Sequence, residues 1–237
     1  MSIKNIIKRA PVVIIGIPAL IGFTFYTHDV FMVFFTIAGL LILGEAYRMS
    51  RPNGTEPNVW LGYLIYLALV GDQLLGNGGN LGVILIVSIL LLMTWEMFRK
   101  KPHVMENVAS TFFAAIFIGM AMSYFILLQQ LGYEGQGGHL GGYAVLTVFI
   151  GVWSCDMLAY FVGSAIGKHK IFPRVSPNKS WEGSISGLLG SLIALMLIVR
   201  VGWLPGLDYT DALILGSITG VAGQLGDFAE SLVKRDV

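Results

Sequence analysis

The stretch Leu81-Gly82-Val83-Ile84-Leu85-Ile86-Val87-Ser88-Ile89-Leu90-Leu91-Leu92-Met93-Thr94-Trp95-Glu96-Met97-Phe98, followed at once by Arg99-Lys100-Lys101, decides the fold class. Roughly 20 apolar residues in a helix cross a bilayer core, and cations gather at the cytoplasmic end of such a span. Working outward, the same form recurs along the chain. The candidate spans are 11–27, 29–47, 59–75, 81–98, 109–130, 142–163, 184–202 and 211–229. The third is the weakest, because Asp72 and the run Gly76-Asn77-Gly78-Gly79-Asn80 press on its end. Lys4, Lys8 and Arg9 precede the first span as they would a signal peptide. No small-x-small cleavage site follows it, so a retained anchor is expected.

Composition agrees. Of 237 residues, 55% are hydrophobic and only 12% charged, with a mean hydropathy of +0.75. Soluble domains carry about 25% charged residues. A water-soluble globule, a disordered chain and a basic nucleic-acid binder are excluded. The net charge of +1 is uninformative in total. Its distribution is not. Counted over alternate loops, fourteen Lys and Arg fall on one side and Arg200 alone on the other. The positive-inside rule places the fourteen in the cytoplasm with both termini. The expected fold is an all-α integral membrane protein, a polytopic bundle of about eight helices forming a single domain over 1–237. The lone Cys155 makes no internal disulfide, and His28, His103, His139 and His169 lie in no zinc-like spacing. The Gly132–Gly142 segment, with Glu134 and His139, reads as a flexible connector on the non-cytoplasmic side.

Three features could carry chemistry, and they cluster in about 150–237. Asp156 lies inside the sixth span. A carboxylate there costs roughly 2.5–3.5 kcal/mol and normally faces a partner, a wet cavity or a metal. Tyr160 and Gly163 share its helix face. The bland alternative is a polar tie between helices. The second feature is the loop Gly167-Lys168-His169-Lys170-Ile171-Phe172-Pro173-Arg174-Val175-Ser176-Pro177-Asn178-Lys179-Ser180-Trp181-Glu182-Gly183. Ser176 before Pro177 reads as a helix N-cap followed by Pro at the first helical position. Ser176, Lys179, Ser180 and Gly183 would then share one face at a helix N-terminus, which suits phosphate. The alternative is positive-inside decoration with Trp181 as an interfacial anchor. Gly163-Ser164-Ala165-Ile166-Gly167-Lys168 only mimics a P-loop, being one residue short between the glycines and lacking the Ser or Thr after Lys.

The third feature is the last span. Gly216, Gly220, Gly223 and Asp227 fall on one face, and Gly183, Gly187, Gly190 and Ala194 form a matching face on the seventh span. Two smooth faces invite a close crossing. If they meet, the loop cations and Asp227 converge at one mouth, with Glu230 and Ser231 a turn beyond. The alternative for Asp227 is a salt bridge to Lys234 or Arg235.

Ser176-Pro177-Asn178-Lys179-Ser180-Trp181-Glu182-Gly183, then Gly226-Asp227-x-x-Glu230-Ser231-x-x-Lys234-Arg235, resembles the phosphatidate cytidylyltransferase (CDP-diacylglycerol synthase) family. Asp156, Gly163 and Gly167-Lys168-His169-Lys170 fit that family's preceding helix and loop. The resemblance implies an Mg²⁺-dependent nucleotidyltransferase that converts CTP and phosphatidate to CDP-diacylglycerol and pyrophosphate. It implies Asp227 and Asp156 as metal ligands. It implies Lys179, Lys234 and Arg235 as catalytic cations. Ser176, Asn178, Ser180, Glu182, Glu230, Ser231 and Lys168 become substrate-binding residues. The implied partners are CTP, phosphatidate and membrane lipid, with no nucleic acid and a homodimer as a possible assembly. The implied location is the bacterial inner membrane, with the site facing the cytoplasm. The family's pattern runs on past Lys-Arg into a further acidic group, so a C-terminally truncated homologue or a fragment is expected. Rival expectations are a transporter using Asp156, a CTP-dependent kinase or transferase acting on another lipid, and an inactive homologue.

Overall fold

A computed structural model describes residues 15–50, 54–75, 78–131 and 139–236, with the side chains of 233–236 excepted. The described residues form eight helices: α1 (Ile15–Phe25), α2 (His28–Ser50), α3 (Val59–Leu75), α4 (Leu81–Arg99), α5 (Val104–Gln130), α6 (Leu140–Ile166), α7 (Trp181–Arg200) and α8 (Tyr209–Asp236). Six are long and apolar enough to cross a membrane, while α1 and α3 are shorter apolar helices. The chain is a polytopic membrane bundle. Seven of the expected spans each fall on one helix, including the weak third, which occupies all of α3; of the first, 11–27, residues 11–14 lie outside the described residues and 15–25 form α1. Lys4, Lys8, Arg9 and Glu134 lie outside the described residues.

The chain divides into two compact units, Met1–Leu131 and Gly132–Asp236. In the first, α5 packs against α2, α3 and α4. The polarity is that of a lipid-solvated helix. On α4 only Ser88, Leu92 and Glu96 are buried, while Val83, Ile86, Leu90 and Phe98 are exposed. Lipid accepts the apolar side chains, so the inward stripe can be polar where partners exist. Glu96 is paired with Arg99 at 2.7 Å, and Arg99 also donates to the Glu56 carbonyl at 2.6 Å. Buried hydroxyls find backbone acceptors: Tyr47 donates to the Thr111 carbonyl at 2.9 Å and Tyr66 to that of Thr36 at 3.1 Å. The start of α5 holds the preceding loop, since Asn107 accepts from the Glu56 amide at 2.6 Å and Thr111 from the Asn58 amide at 2.8 Å.

The second unit is a three-helix bundle of α6, α7 and α8. Its packing corrects one expectation. The glycine face of α7 does not meet that of α8; it packs on α6. A Cβ on Gly187 would lie 2.9 Å from the Cys155 carbonyl, and one on Gly183 would lie 2.8 Å from the Ala159 carbonyl. The partner of this stripe is therefore Gly163, Ala159 and Cys155. The α8 glycines instead receive larger side chains, Leu192 at Gly216 and Leu188 at Gly220. Glycine on one helix suffices for close approach, so matching stripes need not pair with each other. A buried Ser191–Thr219 hydroxyl pair at 2.7 Å ties α7 to α8.

Candidate active site

The loop between α6 and α7 corrects a second expectation. Ser176 is not a helix N-cap, and Pro177 does not begin a helix. The Lys179 amide donates back to the Ser176 carbonyl at 3.3 Å, so Ser176-Pro177-Asn178-Lys179 is a tight turn with Pro in its second position. The chain then runs back antiparallel to itself. Ile171 N–H donates to the Lys179 carbonyl at 3.3 Å, and Trp181 N–H to that of His169 at 2.9 Å. Ser-Pro serves a helix start and a turn equally well, and only the returning strand decides between them. The true N-cap is Ser180, in extended geometry, whose Oγ accepts from the Gly183 amide at 3.3 Å. Ser180→Ala is expected to cost about 1 kcal/mol, the usual worth of such a cap. A lower midpoint in thermal unfolding of the detergent-solubilised protein would register it; an unchanged midpoint would contradict the cap assignment.

The turn and the first residues of α7 close one end of a cavity of about 440 Å³ within the second unit. From α6 it takes Asp156, Tyr160, Gly163 and Ser164; from the loop Gly167, Lys170, Asn178 and Lys179; from α7 Ser180, Gly183 and Ser184; and from α8 Gln224 and Asp227. Asp156 lies ten residues before the end of α6, so the cavity lining extends roughly 15 Å along that helix at the 1.5 Å rise per residue. At the mouth Lys179 Nζ pairs with Asp227 Oδ2 at 3.0 Å. The same ammonium stands 4.1 Å from the centroid of the Phe228 ring, which forms a T-shaped pair with Phe172 at 5.6 Å between centroids. The aromatic face and the carboxylate together hold Lys179 at the cavity wall. Lys170 Nζ reaches the Asn178 carbonyl at 3.5 Å, placing a second cation at the mouth.

The structure thus brings Asp156, Asn178, Lys179, Ser180 and Asp227 to one cavity. Ser176, Lys168, Glu230 and Ser231 lie outside its lining. Glu182 turns away, accepting from the His169 amide at 3.2 Å and pairing with His169 Nδ1 at 2.6 Å. The side chains of Lys234 and Arg235 lie outside the described residues. Sequence reasoning missed Lys170, taking Lys168 instead. Alternation along an extended segment does not separate them, because residues two apart share a face, and only the tertiary structure distinguishes the two lysines. It also missed Gln224, whose signal was an amide three residues before Asp227 in an otherwise apolar and small-residue helix.

Asp156 and Asp227 bring two carboxylates to the cavity lining. Asp156 and Asp227 lie within range of each other's charge. Among the described residues no group of three or more His, Cys, Asp and Glu could hold a metal. Two carboxylates beside space for phosphates nonetheless fit Mg²⁺, which keeps several waters and takes one or two protein carboxylates plus substrate oxygens.

Residues 7–237 match the model of the cytidylyltransferase family. The chain belongs to that family. Among curated relatives, the phosphatidate cytidylyltransferase of Bacillus subtilis is 35% identical over 152 residues, 64% of this chain and 54% of the relative. That of Haemophilus influenzae is 40% identical over 114 residues, 47% of this chain and 40% of the relative. That of Brucella abortus is 30% identical over 209 residues, 86% of this chain and 71% of the relative. This cytidylyltransferase-family chain thus spans about half the length of the first two relatives.

Proposed function

We propose that the chain transfers CMP from CTP to phosphatidate, giving CDP-diacylglycerol and pyrophosphate, in a bacterial inner membrane. The observation that carries this reading is the convergence of Lys179, Asp227 and Asp156 on one polar cavity within a bundle of membrane helices. Family membership and relatives named phosphatidate cytidylyltransferase support it. A phosphate oxygen of phosphatidate attacks the α-phosphorus of CTP. The bond from that phosphorus to the oxygen bridging to the β-phosphorus breaks, and pyrophosphate leaves with the electron pair. The attacking group is already an anion, so no protein base is needed. The work of the residues is to bring two anions together. Lys179 and Lys170 offset phosphate charge at the mouth, and Asn178 offers an amide beside them. The first turn of α7 adds the positive end of its dipole. Asp227 and Asp156 would hold Mg²⁺, which would stabilise charge on the attacking and leaving oxygens. The gathering of Lys and Arg in the loop that lines this cavity supports a site facing the cytoplasm, where CTP is available.

The test is product formation by the chain in detergent with phosphatidate, radiolabelled CTP and Mg²⁺. CDP-diacylglycerol that requires all three is the expected result. Folded protein that yields none, beside an active Bacillus subtilis relative under the same conditions, would overturn the assignment.

A further inference from the structure

We infer that Gln224 is the positioning residue that sets Asp227 against Lys179, resting on the proposed reaction at this cavity. Its Nε2 donates to the Ser184 carbonyl at 2.9 Å and to Cys155 Sγ at 3.4 Å. Cys155 Sγ in turn donates to the Gly220 carbonyl at 3.5 Å. One amide therefore ties all three helices of the unit at a single level: Cys155 on α6, Ser184 in the first turn of α7, and Gln224 itself on α8. Asp156, Lys179 and Asp227 each lie close to this knot along the chain. Asp156 follows Cys155, Ser184 lies four residues after the Ser180 cap and five after Lys179, and Asp227 follows Gln224 by three.

The reason a tie is needed lies in the surfaces around it. Gly216 and Gly220 let α8 approach α7 closely, and Gly223 meets only Val152 at ordinary contact distance. Small-residue faces give proximity but little axial register, because a smooth surface slides without losing contact. A hydrogen bond in a low-dielectric interior is directional and costly to leave unmade. The orientation of the amide is also settled: the Ser184 carbonyl only accepts, so Nε2 must face it. Ser191–Thr219 supplies a second tie, two turns from Asp227 toward the other end of α8. Gln224 is the tie adjoining the cavity, and a slip of about 1 Å there would misplace Asp227 enough to cost on the order of a hundredfold in rate.

The experiment compares Gln224→Met, which keeps length and loses the donor, with Thr219→Val, which breaks the remote tie. Gln224→Met is expected to lower kcat by roughly ten- to a hundredfold while KM for CTP and phosphatidate stays within about threefold. Thr219→Val is expected to lower the unfolding midpoint and leave kcat within about twofold, being distant from the reacting groups. Equal kcat losses in both variants would mean that Gln224 acts only on stability, and wild-type kinetics in Gln224→Met would equally overturn the inference. Should Gln224→Met fail to fold, Gln224→Asn, one methylene short of the same amide, is read by the same criteria. If the wild-type chain makes no product, the proposed reaction fails, and hydrogen exchange then decides the inference alone. Faster exchange over 221–228 in Gln224→Met, with 209–217 unchanged, upholds it; unchanged exchange over 221–228 overturns it.

Discussion

Asp227→Asn is expected to reduce kcat/KM by at least about a hundredfold, the usual effect of deleting one preorganised electrostatic element from an active site. Asparagine keeps the shape and one oxygen but removes the charge that holds Lys179 at 3.0 Å and that would bind a cation. Lys179→Ala is expected to lose a comparable factor, through phosphate charge left unneutralised. The double variant should fall little below either single one, because partners acting as a unit are not additive. The fold should survive. The Lys179 ammonium is itself buried, but the two side chains are 24% and 49% exposed, so the pair contributes on the order of 1 kcal/mol to stability. The carriers of this prediction are steady-state kinetics and thermal unfolding measured on the same preparations. Normal turnover in both single variants would remove Lys179 and Asp227 from the site.

Gly187→Val is expected to destabilise the second unit by about 3 kcal/mol or more and to abolish activity with it. The reason is geometric. Even a methyl group at Gly187 would lie 2.9 Å from the Cys155 carbonyl and 3.0 Å from Cys155 Sγ and from the Ala159 methyl. A carbonyl on a helix cannot rotate aside as a flexible side chain can, so α6 and α7 must separate. Separation would pull Asp156 and Tyr160 away from Lys179 and Ser180, and so open the cavity along its length. Gly71→Ala, where a Cβ would meet nothing within 4 Å, is the control and should fold normally. Loss of a monodisperse detergent-solubilised species for Gly187→Val alone is the expected outcome. Equal behaviour of the two variants would show that α6 and α7 do not require this contact.

Much of this is legible in the amino-acid sequence. Hydropathy along Leu81–Phe98 and its counterparts sufficed for the helices, because the bilayer imposes one length and one polarity on every span. Asp156 stood out because a carboxylate within a span needs a reason to be there. The loop cations and Asp227 were visible as residues, and their convergence was expected. The route to it was not. The expected route ran through a helix capped by Ser176 and through glycine faces of α7 and α8 in contact. The structure brings Lys179 and Asp227 together through a Ser176–Lys179 turn, a Ser180 cap, and an α7 glycine face turned toward α6.

The sequence by itself determined which segments are helices, which residues are polar where lipid would forbid it, and which family the motifs resemble. Those properties belong to single residues and their near neighbours. Only the tertiary structure decided which of two similar glycine stripes packs on which helix, that Lys170 rather than Lys168 lines the cavity, and that Gln224 ties three helices together. These depend on the azimuth and axial register of one helix against another. Small residues specify neither; directional contacts such as Gln224 to the Ser184 carbonyl do, and they form only once the helices have met.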